Sequence, residues 1–503
     1  MQNHPNHIII TSNKDSKNRS FSSLWQQLNA AFLGNSGTTW FLWTVLALVS
    51  LAMAWLIAQG GLKLGAILPI VVIGVPVLVA SVFWLRFGVV VTLTASFFIL
   101  GIKKFLPGEA PLGLLLDLLV FLMFFGLLVK ISRDKDLKAF YSPISVIVFV
   151  WIMYNLLEVA NPYAESRMAW FYTVRGLAGI VLLFYIVTYT FSDFKYIKQL
   201  SLVLIILALL AGLYGLAQEF MGFNRFEYAW IYAEEQRFKL IYQWGRFRKF
   251  SFLSDPTTFG ILCSYMLIFS AVLLMGKNSR NFKIFLGFTC IVLFLGMIYS
   301  GTRTAYVMLP AGGIFYALLT LRKQILALMV LGILFLGFVI MIPTSNPNLY
   351  RFQSAFKPQK ERSLNVRLDN QKMIQPFIQS HPMGGGAGST GTWGKRFSPN
   401  SFLANFPPDS GYVRIAVELG WLGLFIYCSM FFIVLQTGIY NYIRCTQAEI
   451  KTYYEAFLTL IFVLTLANYP QEAVILVPNS LVYFISAAAL IRLKDFNNQL
   501  SYA

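Results

Sequence analysis

Long apolar blocks separated by polar turns dominate the chain. Each block can cross a hydrocarbon core about 30 Å thick, which requires about 20 helical residues. No water is available there, so each block must satisfy its own backbone hydrogen bonds, as a helix does. Several blocks are short or interrupted by proline (Pro69, Pro76 and Pro310), so the pattern predicts twelve to fourteen spans. The fourteen candidates are 39–58, 64–84, 88–106, 112–129, 143–159, 170–190, 199–218, 257–275, 284–300, 304–320, 325–342, 411–436, 454–469 and 474–490.

Two long polar segments, 219–256 and 343–410, interrupt this series of apolar blocks. Strands of a membrane barrel alternate polar and apolar residues, and the apolar blocks here do not. The predicted class is therefore an all-α, polytopic transmembrane helical bundle. The predicted organisation is a cytoplasmic tail at 1–38, N-terminal transmembrane helices at 39–218, a first large external loop at 219–256, central transmembrane helices with the Arg303 turn at 257–342, a large external catalytic loop at 343–410 and C-terminal transmembrane helices at 411–503.

Composition and charge agree with a membrane protein. Hydrophobic residues make up 57% of the 503 residues and charged residues 12%, against about 25% charged residues in soluble globular proteins. The net charge of +19 does not indicate nucleic-acid binding, because the basic residues are spread over loops between apolar blocks. With the N-terminus inside, nineteen Lys and Arg residues fall in the tail and the internal loops, and five in the short external loops. This asymmetry predicts two cytoplasmic termini and two long loops outside.

Cysteine and histidine usage argues against disulfides and metal sites. None of the four cysteines (Cys263, Cys290, Cys428 and Cys445) falls in a loop placed outside, so no disulfide framework is predicted. His381 is the only histidine beyond the N-terminal tail, and no external cysteine accompanies it. We therefore expect no metal site and no cofactor.

Arginines beside apolar blocks are the first candidates for chemistry. Arg303 stands in the turn Tyr299-Ser-Gly-Thr-Arg-Thr304 between two blocks, where a charge costs about 3 kcal/mol at bilayer depth and usually has a partner or a function. Arg246 and Arg248 precede the eighth block, and a planar guanidinium can hold a phosphate through two hydrogen bonds. Arg175, one turn into the sixth block, is a further candidate. The alternative for all of them is snorkelling or topological anchoring.

The second long loop is basic and contains a histidine followed by glycines. Its lysines and arginines, Arg367 among them, predict a cationic surface that suits an anionic substrate with a lipid tail. The alternative is a solvated loop beside anionic headgroups. Gly384 and Gly386 follow His381, and glycine lets a backbone approach a ligand closely. The alternative there is a rigid turn after the amphipathic segment 363–379.

A carboxylate and a charged pair mark the entrance to the twelfth block. Arg414 and Glu418 are four residues apart and are expected to pair on one helix face. Asp409 precedes Tyr412 by about one turn, and is expected to cap the helix. Facing a basic cavity, the same carboxylate would instead serve as a general base toward a sugar hydroxyl. The sequence leaves both interpretations of Asp409 open.

Together these pieces resemble the O-antigen ligase and polymerase superfamily of bacterial membrane glycan transferases, over roughly residues 199–436. Ser300-Gly-Thr-Arg303-Thr looks like the Ser-x-Ser-Arg turn of that family. Arg248 lies eight residues before Pro256, similar to the family's arginine before a Pro-Asn helix start. Arg367, followed by His381-Pro-Met-Gly-Gly-Gly, looks like its Arg…His-Pro-x-x-Gly-x-Gly segment.

One departure from the family pattern separates its two branches. The ligase branch has His-Asn/Ser/Gln, nine residues and then Gly-x-x-Gly. Asp409-Ser410, nine residues and Gly420-Trp-Leu-Gly423 occupy that frame here. Aspartate at the position of the catalytic histidine favours the polymerase branch over the ligase branch.

The resemblance implies a metal-independent glycosyltransferase of the bacterial inner membrane that uses a glycan carried on undecaprenyl diphosphate at the periplasmic face. An acceptor hydroxyl would attack the anomeric carbon while Arg248 and Arg303 stabilise the departing diphosphate. Asp409 would take the hydroxyl proton, with His381 as the alternate base. The residues expected to bind diphosphate or glycan are Arg246, Arg367, Arg414 and Tyr412, and those expected to shape the site are Glu418, Gly384 and Gly386.

Two points about partners and class stay open at this stage. The acceptor is a glycan chain for a polymerase and lipid A core for a ligase, and membrane lipids and envelope polysaccharide-assembly proteins are further expected partners. Competing classes are a lipid-linked oligosaccharide flippase and a non-catalytic assembly scaffold. Transporters usually show internal repeats and broken or charged helices near the midplane. No repeat is visible between the halves here, which favours the enzyme.

Overall fold

The computed structural model describes individual residues between 44 and 58, and residues 74–102, 104, 113–135, 137, 140–243, 245–356 and 362–501. The predicted tail 1–38 and the start of the second predicted span lie outside the described residues. The chain divides into two compact units, Met1–Val79 and Ala80–Ala503. In the first unit, the described residues between 44 and 58 are helical. A short apolar helix covers Gly74–Phe83, and everything below concerns the second unit.

Helices account for nearly all of the regular structure described in the second unit. A two-residue antiparallel hairpin pairs Tyr242 with Phe247 and Gln243 with Arg246. The elements are α1 (Leu85–Ile102), α2 (Gly113–Asp134), α3 (Pro143–Leu157), α4 (Arg167–Val174), α5 (Leu183–Thr190), α6 (Phe194–Phe220), α7 (Arg225–Tyr232), α8 (Glu235–Ile241), β1 (Tyr242–Gln243), β2 (Arg246–Phe247), α9 (Pro256–Met275), α10 (Arg280–Ser300), α11 (Arg303–Thr320), α12 (Lys323–Met341), α13 (Pro347–Ser354), α14 (Arg362–Ser380), α15 (Gly391–Phe397), α16 (Phe402–Asn405), α17 (Gly411–Glu418), α18 (Gly420–Ile443), α19 (Ala448–Ala467) and α20 (Asn479–Ser501).

Ten helices among the described residues are long and apolar enough to cross a membrane. This confirms the predicted all-α, polytopic membrane class. Helices α9 and α19 lie at the centre, where 83% and 78% of the residues in their most apolar stretches are buried. In α12 the corresponding share is only 6%. Helix α9 packs against α6, α10, α11 and α19. The bundle therefore has a protein-enclosed core and one helix, α12, that leaves most of its apolar surface to lipid.

Two predicted spans are broken by local structure. The span predicted at 411–436 is divided into α17 and α18, because Gly420 adopts φ +71° and any Cβ there would overlap the carbonyl oxygen of Pro382. A one-helix span was therefore wrong at this point. The span predicted at 170–190 contains a π-helical turn at Arg175–Gly179, a feature that is frequent at functional sites.

The two polar segments are folded. The first, 219–256, holds α7, α8 and the hairpin around a small core of Phe223, Ile231, Ile241 and Phe250. The second, 343–410, holds α13 to α16, and its α14 matches the predicted amphipathic segment 363–379. Residues 357–361, with two of the predicted basic residues, Lys357 and Lys360, lie outside the described part of this segment.

Candidate functional site

The Arg303 turn connects α10 to α11, as the sequence predicts. Helix α10 ends at Ser300, Gly301 adopts φ +59°, and Thr302 precedes Arg303 at the first position of α11. The Thr302 hydroxyl donates to the carbonyl of Pro256 at 2.8 Å, which ties the turn to the start of α9. Gly301 is required here because its φ favours glycine and because a Cβ would lie 3.0 Å from Nε of Arg351.

Arg248 reaches this turn from the first polar segment. Its Nε donates to the carbonyl of Ser300 at 2.9 Å and its Nη2 to the hydroxyl of Thr302 at 3.1 Å. Its Nη1 donates to the carbonyl of Leu240 at 3.2 Å. Burial, followed by the nearby charge of Arg351, lowers the pKa of Arg248 to about 9. One guanidinium therefore holds α8, the turn and α11 together at a single point.

Arg351 completes the group, although nothing in the sequence pattern distinguishes it from the other basic residues of its segment. Its Nε donates to the carbonyl of Gly301, so the two carbonyls of the turn are each capped by an arginine from a different polar segment. Burial lowers the pKa of Arg351. Arg303 is half-buried and is repelled by the charges of Arg351 and Arg367. We call Arg248, Arg303 and Arg351 the arginine cluster.

The arginine cluster is electrostatically unusual. In the described part of the chain, neither Arg248 nor Arg351 has a carboxylate within ion-pair distance. Arg303 occupies the first turn of α11, where the helix dipole disfavours a cation and favours an anion. Thr302 makes no side-chain cap there. Three guanidiniums thus concentrate positive charge at a helix N-terminus, the end of a helix that favours anions.

An apolar groove opens beside this cluster. It lies between α10, α11, α12 and α13 and holds about 1480 Å³ of empty space, counted together with the open solvent at its mouth. Its wall includes Ile298 and Tyr299, directly before the turn, and Phe352, directly after Arg351. The groove exists because α12 stands away from the bundle and buries little of its surface. A cationic cluster and an apolar groove therefore lie next to each other.

Asp409 and Arg367 line one small cleft in the second polar segment, together with Phe406, Val413 and Tyr469. Asp409 is exposed. It does not cap α17, so the capping interpretation was wrong. Ser410 is the N-cap, with its hydroxyl accepting from the Val413 amide at 3.5 Å, because it is the residue directly before the first helical position. The carboxylate of Asp409 thus stays available to solvent and ligands.

The predicted pairing of Arg414 with Glu418 is confirmed, at 3.1 Å. Glu418 is fully buried and also accepts from the Gly388 amide, at 2.9 Å, and from the Thr390 hydroxyl. Arg414 makes a second ion pair with Glu472, at 2.6 Å. These contacts hold the segment after His381 against α17. Two carboxylates already engage the guanidinium of Arg414. Substrate binding by this residue stays a prediction.

We expect Glu418→Gln to lower the free energy of unfolding by about 2–4 kcal/mol. The change removes the buried charge that Arg414 faces and weakens the two bonds that hold Gly388 and Thr390. Thermal unfolding of the detergent-purified protein measures this. Glu449→Gln is the matched control, because its ion pair with Lys198 is solvent-exposed and is worth less than about 1 kcal/mol. Equal stability losses in the two variants would contradict the assigned role of Glu418.

The glycines after His381 approach protein backbone. Gly384 has φ +70°, and a Cβ there would overlap the Gly420 amide nitrogen, while at Gly386, with φ +92°, a Cβ would lie 2.5 Å from that of Ala164. The expectation that these glycines make room for a ligand is therefore replaced by close packing against α17, α18 and the α3–α4 connection. His381 Nδ1 lies 3.0 Å from the carbonyl of Phe377, and its ring stacks on Phe377 at 4.1 Å.

The remaining predicted residues are held by protein partners. Tyr412 donates its hydroxyl to the carbonyl of Thr465 at 2.9 Å. Arg246 pairs with Glu219 and, within the described part of the chain, makes no hydrogen bond to the turn that Arg248 contacts. Arg175 pairs with Asp117 of α2 at 2.6 Å. Binding of diphosphate or glycan by Tyr412 and Arg246 stays a prediction. The structure distinguishes Arg248 from Arg246 by position, which their spacing in the sequence does not.

The residues brought together thus form a path. The arginine cluster lies beside the apolar groove, Arg367 acts electrostatically on Arg303, and Arg367 shares a cleft with Asp409. Arg351 was missed because eight lysines and arginines are spread over the second polar segment, and no spacing marks one of them. Within the described ranges, no group of three or more His, Cys, Asp and Glu residues is placed to hold a metal ion.

Residues 288–428 match the family model described as O-antigen ligase. The match supports membership of the O-antigen ligase and polymerase superfamily. It begins in α10, ends in α18, and contains Arg303, Arg351, Arg367 and Asp409. The search of curated proteins found no match. The resemblance seen in the sequence is thus supported over this region, as is a glycan-transfer function of the O-antigen ligase type, and the apolar helices support a multi-pass membrane protein.

Proposed function

We propose that this protein transfers a glycan from undecaprenyl diphosphate to a sugar hydroxyl, as a polymerase, at the periplasmic face of the inner membrane. The observation that supports this most directly is the arginine cluster beside an apolar groove. A polyprenyl diphosphate has the same two parts, a multivalent anion joined to a long apolar tail. The diphosphate would occupy the cluster while the tail lies in the groove.

The proposed chemistry is a single displacement. The acceptor hydroxyl oxygen bonds to the anomeric carbon as the bond from that carbon to the diphosphate oxygen breaks. Charge develops on the departing diphosphate, and fixed guanidiniums at low dielectric stabilise it without reorganising. The hydroxyl proton passes to Asp409, and the anomeric configuration inverts. Retention of configuration in the product would contradict this mechanism.

Asp409 is our choice of general base because it is exposed in a cleft that it shares with Arg367. Arg367 in turn lies close enough to Arg303 for their charges to interact. Arg367 thus links the arginine cluster, through its charge, to the exposed carboxylate with which it shares the cleft. His381, with its Nδ1 held by the carbonyl of Phe377, stays the alternate base.

The direct test is a transfer reaction with purified full-length protein in nanodiscs. Undecaprenyl-diphosphate repeat unit is supplied alone or with lipid A core, and the products are separated on a gel. A ladder from the repeat unit alone is the expected result. Product only with lipid A core would replace the polymerase with a ligase, the function that the family description names. Translocation of the donor without any product would favour a flippase and overturn the proposal.

We expect Arg351→Ala to lower kcat/KM for the donor by about tenfold to a hundredfold, because a hydrogen bond to a charged group is worth about 1.5–3 kcal/mol. Arg351→Lys should recover only part of this, because lysine keeps the charge but not the Nε bond to Gly301. Steady-state kinetics in the transfer assay measure both variants. Lys395→Ala, an exposed cation of the same polar segment, is the control. An unchanged kcat/KM for Arg351→Ala would remove Arg351 from the site.

A further inference from the structure

The first polar segment carries a row of four aromatic rings that the proposed chemistry does not use. Tyr228, Tyr232, Phe238 and Tyr242 follow one another with centroid separations of 6.5, 5.3 and 5.3 Å and with interplanar angles of 19°, 26° and 20°. Tyr228, Tyr232 and Tyr242 are 39%, 61% and 39% exposed, respectively. We call these four residues the tyrosine row.

Local structure holds the row in place. Tyr228 and Tyr232 are four residues apart on α7 and share a helix face, whereas Tyr242 directly follows α8 and stacks its ring on Phe238 of that helix. Beneath them lies the core formed by Phe223, Ile231, Ile241 and Phe250. A capping box fixes the start of α7. The row is therefore built on a rigid support although its outer surface is open.

The row runs into the arginine cluster. The Arg248 guanidinium donates to the carbonyl of Leu240, which lies between Phe238 and Tyr242 in the chain. The Arg248 amide donates to the carbonyl of Ile241 at 2.8 Å, and the partner of Tyr242 in the hairpin is Phe247, the residue directly before Arg248. One end of the row is thus fixed directly to the residue that we expect to hold the diphosphate.

These features point to a saccharide as the ligand. A sugar ring has apolar C–H faces and a rim of hydroxyl groups, and a tyrosine offers both aromatic carbon and a hydroxyl. Tyrosine also provides rigid contact area at a low cost in conformational entropy. A glycan attached to a diphosphate at Arg248 would begin at the Tyr242 end of the row.

We propose that the tyrosine row binds the glycan of the lipid-linked donor and gives the enzyme a preference for donors that carry several sugars. This inference rests on the proposed function. The competing explanation for exposed tyrosines is anchoring at the membrane interface, where aromatic residues are enriched. Exposed Phe226 on the same helix is compatible with a nearby bilayer, so the test must separate the two explanations.

The kinetic experiment uses full-length protein in nanodiscs and two donors on the same polyprenyl diphosphate, one with a single sugar and one with a full repeat-unit oligosaccharide. Tyr232→Ala is expected to raise KM for the longer donor by about threefold to tenfold, because the sugar loses its contact with the aromatic ring, a change of about 0.7–1.4 kcal/mol in binding free energy. KM for the single-sugar donor should stay unchanged. Tyr440→Ala, which changes another exposed tyrosine outside the row, should alter neither value. Equal changes for both donors, or none, would overturn the proposal.

A binding measurement keeps this test independent of turnover. Free repeat-unit oligosaccharide is observed by saturation-transfer NMR, with signal expected from the wild type and lost in Tyr232→Ala. Saturation transfer that persists in the variant would contradict the proposal. Quenching of the additional fluorescence of Tyr232→Trp by brominated lipids would place the row in the bilayer and also overturn it. A wild type that binds the oligosaccharide but forms no product would refute the proposed function and leave the row as a saccharide site.

Discussion

Arg303→Gln is expected to lower kcat for glycan transfer by about 10²–10³-fold, the loss typical of removing one fixed donor that stabilises a developing negative charge. Arg303 stands at the first position of α11, next to the carbonyls held by Arg248 and Arg351. Glutamine keeps much of the side-chain length and can donate a hydrogen bond, but it carries no charge. The measurement is single-turnover transfer with saturating donor.

Two comparisons make the Arg303 result specific. Arg303→Lys retains the charge without the planar fork and should fall between wild type and Arg303→Gln. Arg396→Gln, an exposed arginine of α15 in the second polar segment, should change kcat by less than about twofold. If Arg303→Gln raised only KM and left kcat intact, Arg303 would contribute to ground-state binding and not to the departure of the diphosphate.

Asp409→Asn is expected to lower kcat by about 10²–10⁴-fold, the usual contribution of a general base, with little effect on thermal stability. The stability expectation follows from the exposed position of Asp409 and from Ser410 being the cap of α17. Asparagine preserves the size of the side chain but cannot accept the hydroxyl proton. Transfer rate and melting temperature are measured on the same preparation.

Asp369→Asn supplies the matched control for Asp409. Asp369 is also an exposed aspartate of the second polar segment, but it lies outside the residues that line the cleft. Its transfer rate should stay within about twofold of the wild type. Should Asp409→Asn retain full activity while His381→Gln loses it, the histidine would be the base and the choice of Asp409 would be wrong.

Some residues of the site could be identified from the sequence alone, and others could not. Arg303 was identifiable because placing a charge between two apolar blocks costs free energy, and the apolar composition around it is visible in the sequence. Arg414 and Glu418 were identifiable as a pair because their contact is set by the helical repeat. Arg351 was not identifiable, because its contact with Gly301 joins residues 50 positions apart through the packing of α13 against the α10–α11 turn.

The sequence also did not decide between two nearby residues that are equally suited to the same contact. Asp409 and Ser410 are both good capping residues, and the backbone selects Ser410 because it directly precedes the first helical residue. Arg246 lies in β2 and Arg248 directly follows it, and because side chains two residues apart in a strand point to the same side, their spacing does not separate their roles. One meets Glu219 and the other meets the turn at Ser300.

The sequence by itself determined the membrane class, most of the helices, the Arg303 turn and the position of the two polar segments, because these depend on the length, composition and periodicity of single stretches. Only the tertiary structure decided that Arg248 and Arg351 cap the same turn, that Gly420 divides α17 from α18, and that a groove lies beside α12. It also formed the tyrosine row from two helices and a hairpin. Such features depend on which surfaces pack together although they lie far apart in the sequence. No single stretch of the chain specifies that packing.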